Sequence, residues 1–447
     1  MASAAEQLAA SINFGAIGKA TELKKRLWFT FGALVIYRLG TYIPLPGIDP
    51  VILDDIFRQQ AGGIIGMFNM FSGGALGRMT IFALNIMPYI SSSIIIQLMT
   101  TVSPHLAQLK KEGESGRRRI TQYTRYGTVI LATFQGLGIA VGLEGMTGSQ
   151  GSAVLDPGLA FRAVTVITLV GGTIFLMWLG EQITARGVGN GISLIIMAGI
   201  VAELPAAMAS TLELGRTGAL SALFIILLMG MTVAVIAFIV FVERAQRRLL
   251  VQYPKRQVGN RMSGGESTHL PLKLNTAGVI PPIFASSLLL LPITAMSFSA
   301  NSGPDWLGNV AAMLSRGSPG YLLLYISLIV FFAFFYTSVV FNPEDTADNL
   351  KKNNGFIPGI RPGKNTAEYI DYVLRRLTTA GAIYLSAVCV LPEILISQYA
   401  VPFYFGGTSL LIVVNVNMDF VAQIHSHLLA QQYEGLIKKT RLRGRRG

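Results

Sequence analysis

The sequence predicts an all-α polytopic membrane protein that crosses the bilayer ten times. Three observations predict it: an apolar composition, ten long runs almost free of charge, and basic residues gathered in alternate gaps between those runs. Apolar residues make up 51% of the 447 and charged residues only 13%, where a soluble domain carries about 25% charge. The mean hydropathy is +0.53. In hydrocarbon only helices and closed barrels satisfy every backbone group, and these runs lack the alternation of barrel strands.

The candidate spans follow in chain order. Residues 1–26 are mixed polar, so Leu27–Ile43 reads as a retained first span and not a cleaved signal. Thr80–Val102, Gly127–Leu143, Ala160–Leu179 and Ile192–Met208 complete the first five. Leu220–Val242, Leu274–Met296, Tyr321–Phe341, Leu377–Leu391 and Thr408–Leu429 form the second five. Several approach the roughly 20 residues that a helix needs to cross the hydrocarbon.

Charge tests this map. Of the 36 Lys and Arg residues, 30 fall on the side of the N-terminal tail: residues 1–26, Lys110–Arg125, Arg186, Arg244–Lys273, Lys351–Arg376 and Lys438–Arg446. The opposite side holds four, Arg58, Arg78, Arg216 and Arg316, while Arg38 and Arg162 lie near span ends. A bias that alternates with every crossing places both termini in the cytosol by the positive-inside rule. The net charge of +13 therefore reads first as a topology signal, with docking of an RNA-rich or acidic partner, or of anionic lipids, open as a second use.

Five crossings per half is an odd number, so two halves of five would enter the membrane in opposite orientations, the arithmetic of an inverted repeat. The halves are residues 27–208 and 209–429, followed by a basic tail, 430–447. Three connections exceed turn length: Pro44–Met79 on the outer side, and Glu243–Pro271 and Asn342–Tyr372 in the cytosol. Loops beyond about 12–15 residues are usually functional or disordered, and the two cytosolic ones read as partner platforms.

Enzyme chemistry finds no footing. The histidines are His105, His269, His425 and His427; the last two are two residues apart, which on a helix turns them away from each other. Cys389 stands alone in an apolar run, without zinc spacing or a disulfide partner. Gly187-Val-Gly-Asn-Gly191 has the glycines of a phosphate loop but follows a span instead of a strand and lacks the Lys-Ser/Thr ending; it reads as a flexible turn. No cofactor and no metal is expected. A solute transporter is the rival reading, since transporters place ionisable relays at mid-membrane. Only Asp419 lies well inside a run, where it reads as an interfacial carboxylate or as a relay.

Thr80–Met99 (TIFALNIMPYISSSIIIQLM) and Trp178–Ile196 (WLGEQITARGVGNGISLII) resemble the two signatures of the SecY family. Tyr37–Ile48, Lys110–Thr128, Leu270–Ser287, Phe341–Gly363 and Val401–Asp419 resemble further segments of it in the same order, nearly the length of the chain. Asn85 departs from the pattern, where many members carry Gly. The resemblance implies a central pore between two halves and a seam that opens to lipid. It implies a gated protein-conducting channel of the bacterial inner membrane, passing unfolded secretory chains and releasing hydrophobic segments sideways. The expected partners are SecE, SecG, the SecA motor, the ribosome through its RNA and protein, and the precursor chains.

The same resemblance assigns residues. The pore ring falls on Ile86, Ile90, Ile192, Ile196, Ile283 and Ile412; an aliphatic constriction blocks ions by excluding water. The plug falls on Ile64, Ile65, Met67, Phe68, Met70 and Phe71, followed by Ser72, Gly73 and Gly74 as a hinge; an interfacial helix is the alternative there. The lateral gate takes Pro88, Gln97, Asn275 and Pro281, with Pro88, Pro281 and Pro282 expected to bend their helices around the pore. Arg244, Arg247, Arg248, Lys255, Arg256 and Arg361 are the expected docking cations.

Overall fold

A computed structural model describes residues 20–49, 52–53, 72–145, 147–148, 151–218, 221–253, 256–258, 261–263, 267–299, 318–399 and 407–443. The helices among them are α1 (Thr21–Gly40), α2 (Met87–Val102), α3 (Pro104–Lys111), α4 (Glu114–Glu144), α5 (Leu159–Arg186) and α6 (Gly191–Arg216). They continue with α7 (Ala222–Arg244), α8 (Ile280–Ser299), α9 (Pro319–Val340), α10 (Pro343–Lys352), α11 (Lys364–Tyr399) and α12 (Gly407–Arg443). Each predicted span overlaps one of these helices, leaving α3 and α10 as short helices in the basic loops. Seven of the described helices are by themselves long and apolar enough to cross a membrane. Their outer faces carry bare apolar side chains, Phe134 at 70% exposure and Phe241 at 74% among them, a surface suited to lipid and not to water.

Local chemistry explains where the helices start. Ser221 accepts from Phe224 N at 3.2 Å to open α7, and Ser318 accepts from Tyr321 N at 3.1 Å to open α9, with Pro319 in its first turn. Asn342 accepts from Glu344 N at 3.1 Å to open α10, whose acidic first turn and Lys351–Lys352 last turn suit the helix dipole.

The expectation that proline bends the gate helices is corrected here. Pro88 is the second residue of α2, and Pro281 and Pro282 are the second and third of α8. First-turn N–H groups have no intrahelical acceptor, so proline there costs nothing and begins the helix. Both helices also start later than the apolar runs suggest. Asn85 has φ 48° and Gly278 φ 62°, left-handed conformations that a helix cannot contain. Prolines that do stand inside helices are Pro205 in α6, Pro292 in α8 and Pro392 in α11.

The chain divides into two compact units. The first comprises Met1–Ile96, Arg117–Ala206 and Ile412–Gly447; the second comprises Gln97–Gly116 and Ala207–Leu411. In the first unit, α4 and α5 are riveted at both ends. Arg125 reaches both oxygens of Glu181 at 3.0 and 2.7 Å, and Arg162 meets Glu144 at 2.9 and 2.6 Å. Glu144 also accepts from Gly158 N at 3.0 Å. Outside the helices, Pro44 pairs with Thr80 and Ile48 with Val154, and Leu45, Leu76, Met79, Leu143 and Val154 close a small core beneath them.

The described strands are β1 (Thr147–Gly148), β2 (Gly151–Ser152), β3 (Gln246–Gln252), β4 (Arg256–Val258), β5 (Arg261–Ser263) and β6 (Ser267–Lys273). In the second unit, β3 pairs antiparallel with β6, from Gln246 opposite Lys273 to Gln252 opposite Ser267. Gln252 exchanges two backbone hydrogen bonds with Phe356, at 2.9 and 3.0 Å. Leu249, Val251 and Leu272 from the hairpin, Ile357 from the next basic loop and Ile370 of α11 share one core. The two platform loops are thus a single packed body.

Candidate functional site

The expected pore-ring residues lie on four short stretches of helix. Ile86 and Ile90 are linked by the first helical bond of α2, Ile90 N to Ile86 O at 3.1 Å. Ile192 and Ile196 are one turn apart in α6 and so share a face. Ile86, Ile90, Ile196 and Ile412 are buried, while Ile192 and Ile283 are half-buried. Five belong to the first unit and Ile283 belongs to the second.

Of the expected plug, Ile64, Ile65, Met67, Phe68, Met70 and Phe71 lie outside the described residues. The Ser72–Gly74 segment that follows them is held firmly. Arg38 Nη1 donates to Gly73 O at 2.7 Å, Tyr37 Oη to Ser72 O at 3.4 Å, and Leu76 N to Ser72 Oγ at 3.1 Å. Gly73 and Gly74 have φ 64° and 82°, and a Cβ on Gly73 would stand 2.9 Å from the Gly199 Cα of α6. Glycine is demanded here twice, by backbone angle and by close approach. Tyr42 completes the cluster, with the Arg38 and Arg78 guanidinium groups 5.2 and 4.4 Å from its ring centre.

Asn85 departs from the Gly common in the family at that position, and its φ explains why either residue serves: Asn is among the few side chains that tolerate the left-handed region.

The Gly187–Gly191 turn is not loose. Gly187 N donates to Ile183 O at 2.8 Å, Val188 N to Thr30 Oγ1 at 3.0 Å, Gly189 N to Gln423 Oε1 at 2.8 Å and Gly191 N to Thr184 Oγ1 at 2.9 Å. Val188 packs with Leu23 of α1, and Phe420 and Ile424 of α12 lean on them. A phosphate loop aims free N–H groups at its ligand; in this turn α1, α5 and α12 have taken them. Composition alone made the turn look flexible, because its acceptors are far away in sequence.

The expected gate residues separate. Pro88 opens α2 in the first unit, and Gln97 belongs with Asn275 and Pro281 to the second. Gln97 Oε1 is buried without a hydrogen bond among the described residues. Asn275, 4% exposed, donates to Glu243 Oε1 at 2.6 Å and to Gly278 O at 3.0 Å. Glu243 was missed from the sequence. Its signal was weak: an acid directly before the basic run, at the end of an apolar span.

The expected docking cations Arg244, Arg247, Arg248 and Arg361 are exposed. On β3 the outward residues alternate with buried Leu249 and Val251, so packing fixes the strand that presents Arg247 and Arg248. Arg361 sits between Gly359 and Gly363, both with positive φ, in a turn tied by Thr366 Oγ1 to the Arg361 carbonyl at 3.0 Å. Lys255 lies outside the described residues, and Arg256 is described only as the first residue of β4 (Arg256–Val258). Asp419 is exposed on α12. Among the described residues no group of three or more His, Cys, Asp or Glu side chains could hold a metal.

Fold and site together define a class: a multi-pass helical membrane protein with a cationic platform, part β-sheet, at one end of its second unit. A family model for SecY matches residues 80–421, and the chain belongs to the SecY family. It is 59% identical over 424 residues to the protein translocase subunit SecY of Escherichia coli strain K12, covering 95% of this chain and 96% of that one. The Vibrio cholerae subunit of the same name is 55% identical over 428 residues, with 95% and 96% covered. Among solved structures, one described as a protein conducting channel superposes with a TM-score of 0.67 at 17% identity, over 91% of this chain and 92% of that one. Sec61 in a canine ribosome-channel complex superposes with a TM-score of 0.61 at 17% identity, over the same shares. At such identities the structural likeness speaks for the fold.

Proposed function

We propose that this chain is the gated, protein-conducting subunit of a bacterial inner-membrane translocon, with both termini in the cytosol. The observation that carries the reading is its identity to translocase subunits along 95% of its length. It passes unfolded secretory chains across the bilayer and releases hydrophobic segments sideways into lipid, with SecE and SecG as companion subunits. It is a passive conduit: the driving force comes from a SecA motor, a ribosome or the membrane potential. Residues 27–208 and 209–429 form its inverted halves.

Ile86, Ile90, Ile192, Ile196, Ile283 and Ile412 form the gasket, since aliphatic side chains exclude ions yet yield to a polypeptide of any sequence. The segment through Phe71 is the plug, rooted at Ser72–Gly74. Pro88, Gln97, Asn275 and Pro281 flank the lateral seam. Arg244, Arg247, Arg248, Lys255, Arg256 and Arg361 meet the motor, or ribosomal RNA phosphate on electrostatic grounds, and anionic lipid headgroups contribute on the same side.

Depletion of the protein tests the function. Uncleaved precursors of exported proteins should accumulate; normal export with loss of one nutrient's uptake would refute the channel in favour of a solute transporter. The gasket has its own test. Replacing Ile86, Ile192 and Ile283 together with glycine should raise resting ion conductance in reconstituted vesicles, and unchanged conductance removes the ring.

A further inference from the structure

Glu243 lies in the last turn of α7, where the helix's own terminal carbonyls already carry partial negative charge. It is also buried, at 8% exposure. A carboxylate is disfavoured on both counts, and it persists only with good hydrogen-bond donors. Asn275 supplies one, at 2.6 Å.

The position of this contact in the fold gives it meaning. α7 runs directly into β3, and β6 runs through Leu274–Val279 into α8. The hairpin ladder reaches the rung Gln246–Lys273, and Leu274 N adds a bond to Ala245 O at 3.0 Å. Glu243 and Asn275 come next in the same direction, so their bond is a side-chain rung that prolongs the ladder toward the helices. Past it, Gly278 has φ 62° and open space where a Cβ would stand. Its carbonyl accepts from Asn275 at 3.0 Å, so that glycine becomes a pliant point between the hairpin and the Pro281–Ile283 start of α8 once Asn275 is released.

We propose that Glu243 is a positioning residue that couples the docking platform to α8. By clamping Asn275 to α7, it makes the hairpin and the first turn of α8 move as one body when a macromolecule docks on Arg247 and Arg248. Without the clamp, rotation at Gly278 absorbs the displacement. Coupling of this kind requires an element that both sites bias, and the prolonged ladder is that element. The inference rests on the docking and gate readings above.

Amide hydrogen exchange on the full chain in lipid vesicles tests it, with purified bacterial ribosomes as the docking probe. Glu243→Leu should speed exchange across Leu274–Ile283 by about tenfold, the scale of one hydrogen bond to a charged group, while Leu249 and Val251 keep parental protection. Glu243→Gln retains an acceptor oxygen and should behave as the parent does. Ribosomes should alter exchange in β3 and α8 of the parent and of Glu243→Gln, but only in β3 of Glu243→Leu. Asn275→Leu, approached from the other partner, should reproduce the Glu243→Leu pattern. A Glu243→Leu variant that transmits the change to α8 overturns the coupling alone, and so does one that loosens β3 as well, because Glu243 would then be merely structural. Ribosomes that bind neither parent nor variant overturn the docking reading and the coupling with it.

Discussion

Two connectors, one in each compact unit, show how glycine can do opposite mechanical work. Gly187–Gly191, between α5 and α6, contains three glycines, whereas Leu274–Val279, between β6 and α8, contains one. Glycine content alone would make the first the flexible one. The structure reverses the order, because four of the first turn's N–H groups are taken by acceptors from α1, α5 and α12. Its glycines serve close packing: a Cβ on Gly191 would collide with the Gly180 carbonyl, and one on Gly187 with the Thr30 hydroxyl. In the second connector, Asn275 is held by Glu243 and itself holds the Gly278 carbonyl at 3.0 Å, while open space surrounds the missing Cβ of Gly278. A glycine therefore marks either a weld or a hinge, and what surrounds its missing Cβ decides which.

The largest effect should come from breaking the weld. Gly191→Val forces branched carbons into the Gly180 backbone, and overpacking at a site that cannot relax costs about 3 kcal/mol. The midpoint of thermal unfolding in detergent should fall by several degrees, and an unmoved midpoint breaks the comparison. Thr30→Val keeps the shape but deprives the buried Val188 N–H of its acceptor, at a cost of about 1–3 kcal/mol. Faster amide exchange at Val188 checks that prediction. The smallest stability effect belongs to the hinge. Gly278→Ala meets no neighbour and is penalised only by its left-handed φ, by about 1 kcal/mol. Its unfolding midpoint should barely move while precursor transport slows; a collapse of stability would show that Gly278 is packed after all.

Much of the fold was legible because lipid imposes a coarse, one-dimensional rule. Every span must be apolar for about 20 residues, and the 30 cations gathered in alternate gaps mark breaks between the apolar runs. The basic platform was legible as charge but not as structure. β3 reads as QRRLLVQ, and only its pairing with β6 and the packing of Leu249 and Val251 on Ile357 and Ile370 turn it into a strand that leaves Arg247 and Arg248 exposed. The prolines were misread for a related reason. Pro88 and Pro281 stand within apolar runs, so they looked like interior kinks. The left-handed backbone at Asn85 and Gly278 delays each helix until proline falls in its harmless first turn.

By itself, then, the sequence determined the class, the family and the approximate place of each helix, because hydropathy, charge bias and motif order are local properties summed along a chain. Only the tertiary structure decided that Gly187–Gly191 is bound, that Ser72–Gly74 is anchored by Arg38, and that Glu243 meets Asn275. Each of these depends on a hydrogen-bond partner 32 or more residues away. Directional bonds of about 3 Å between distant residues leave no periodic trace in a sequence; they exist only once the helices have packed.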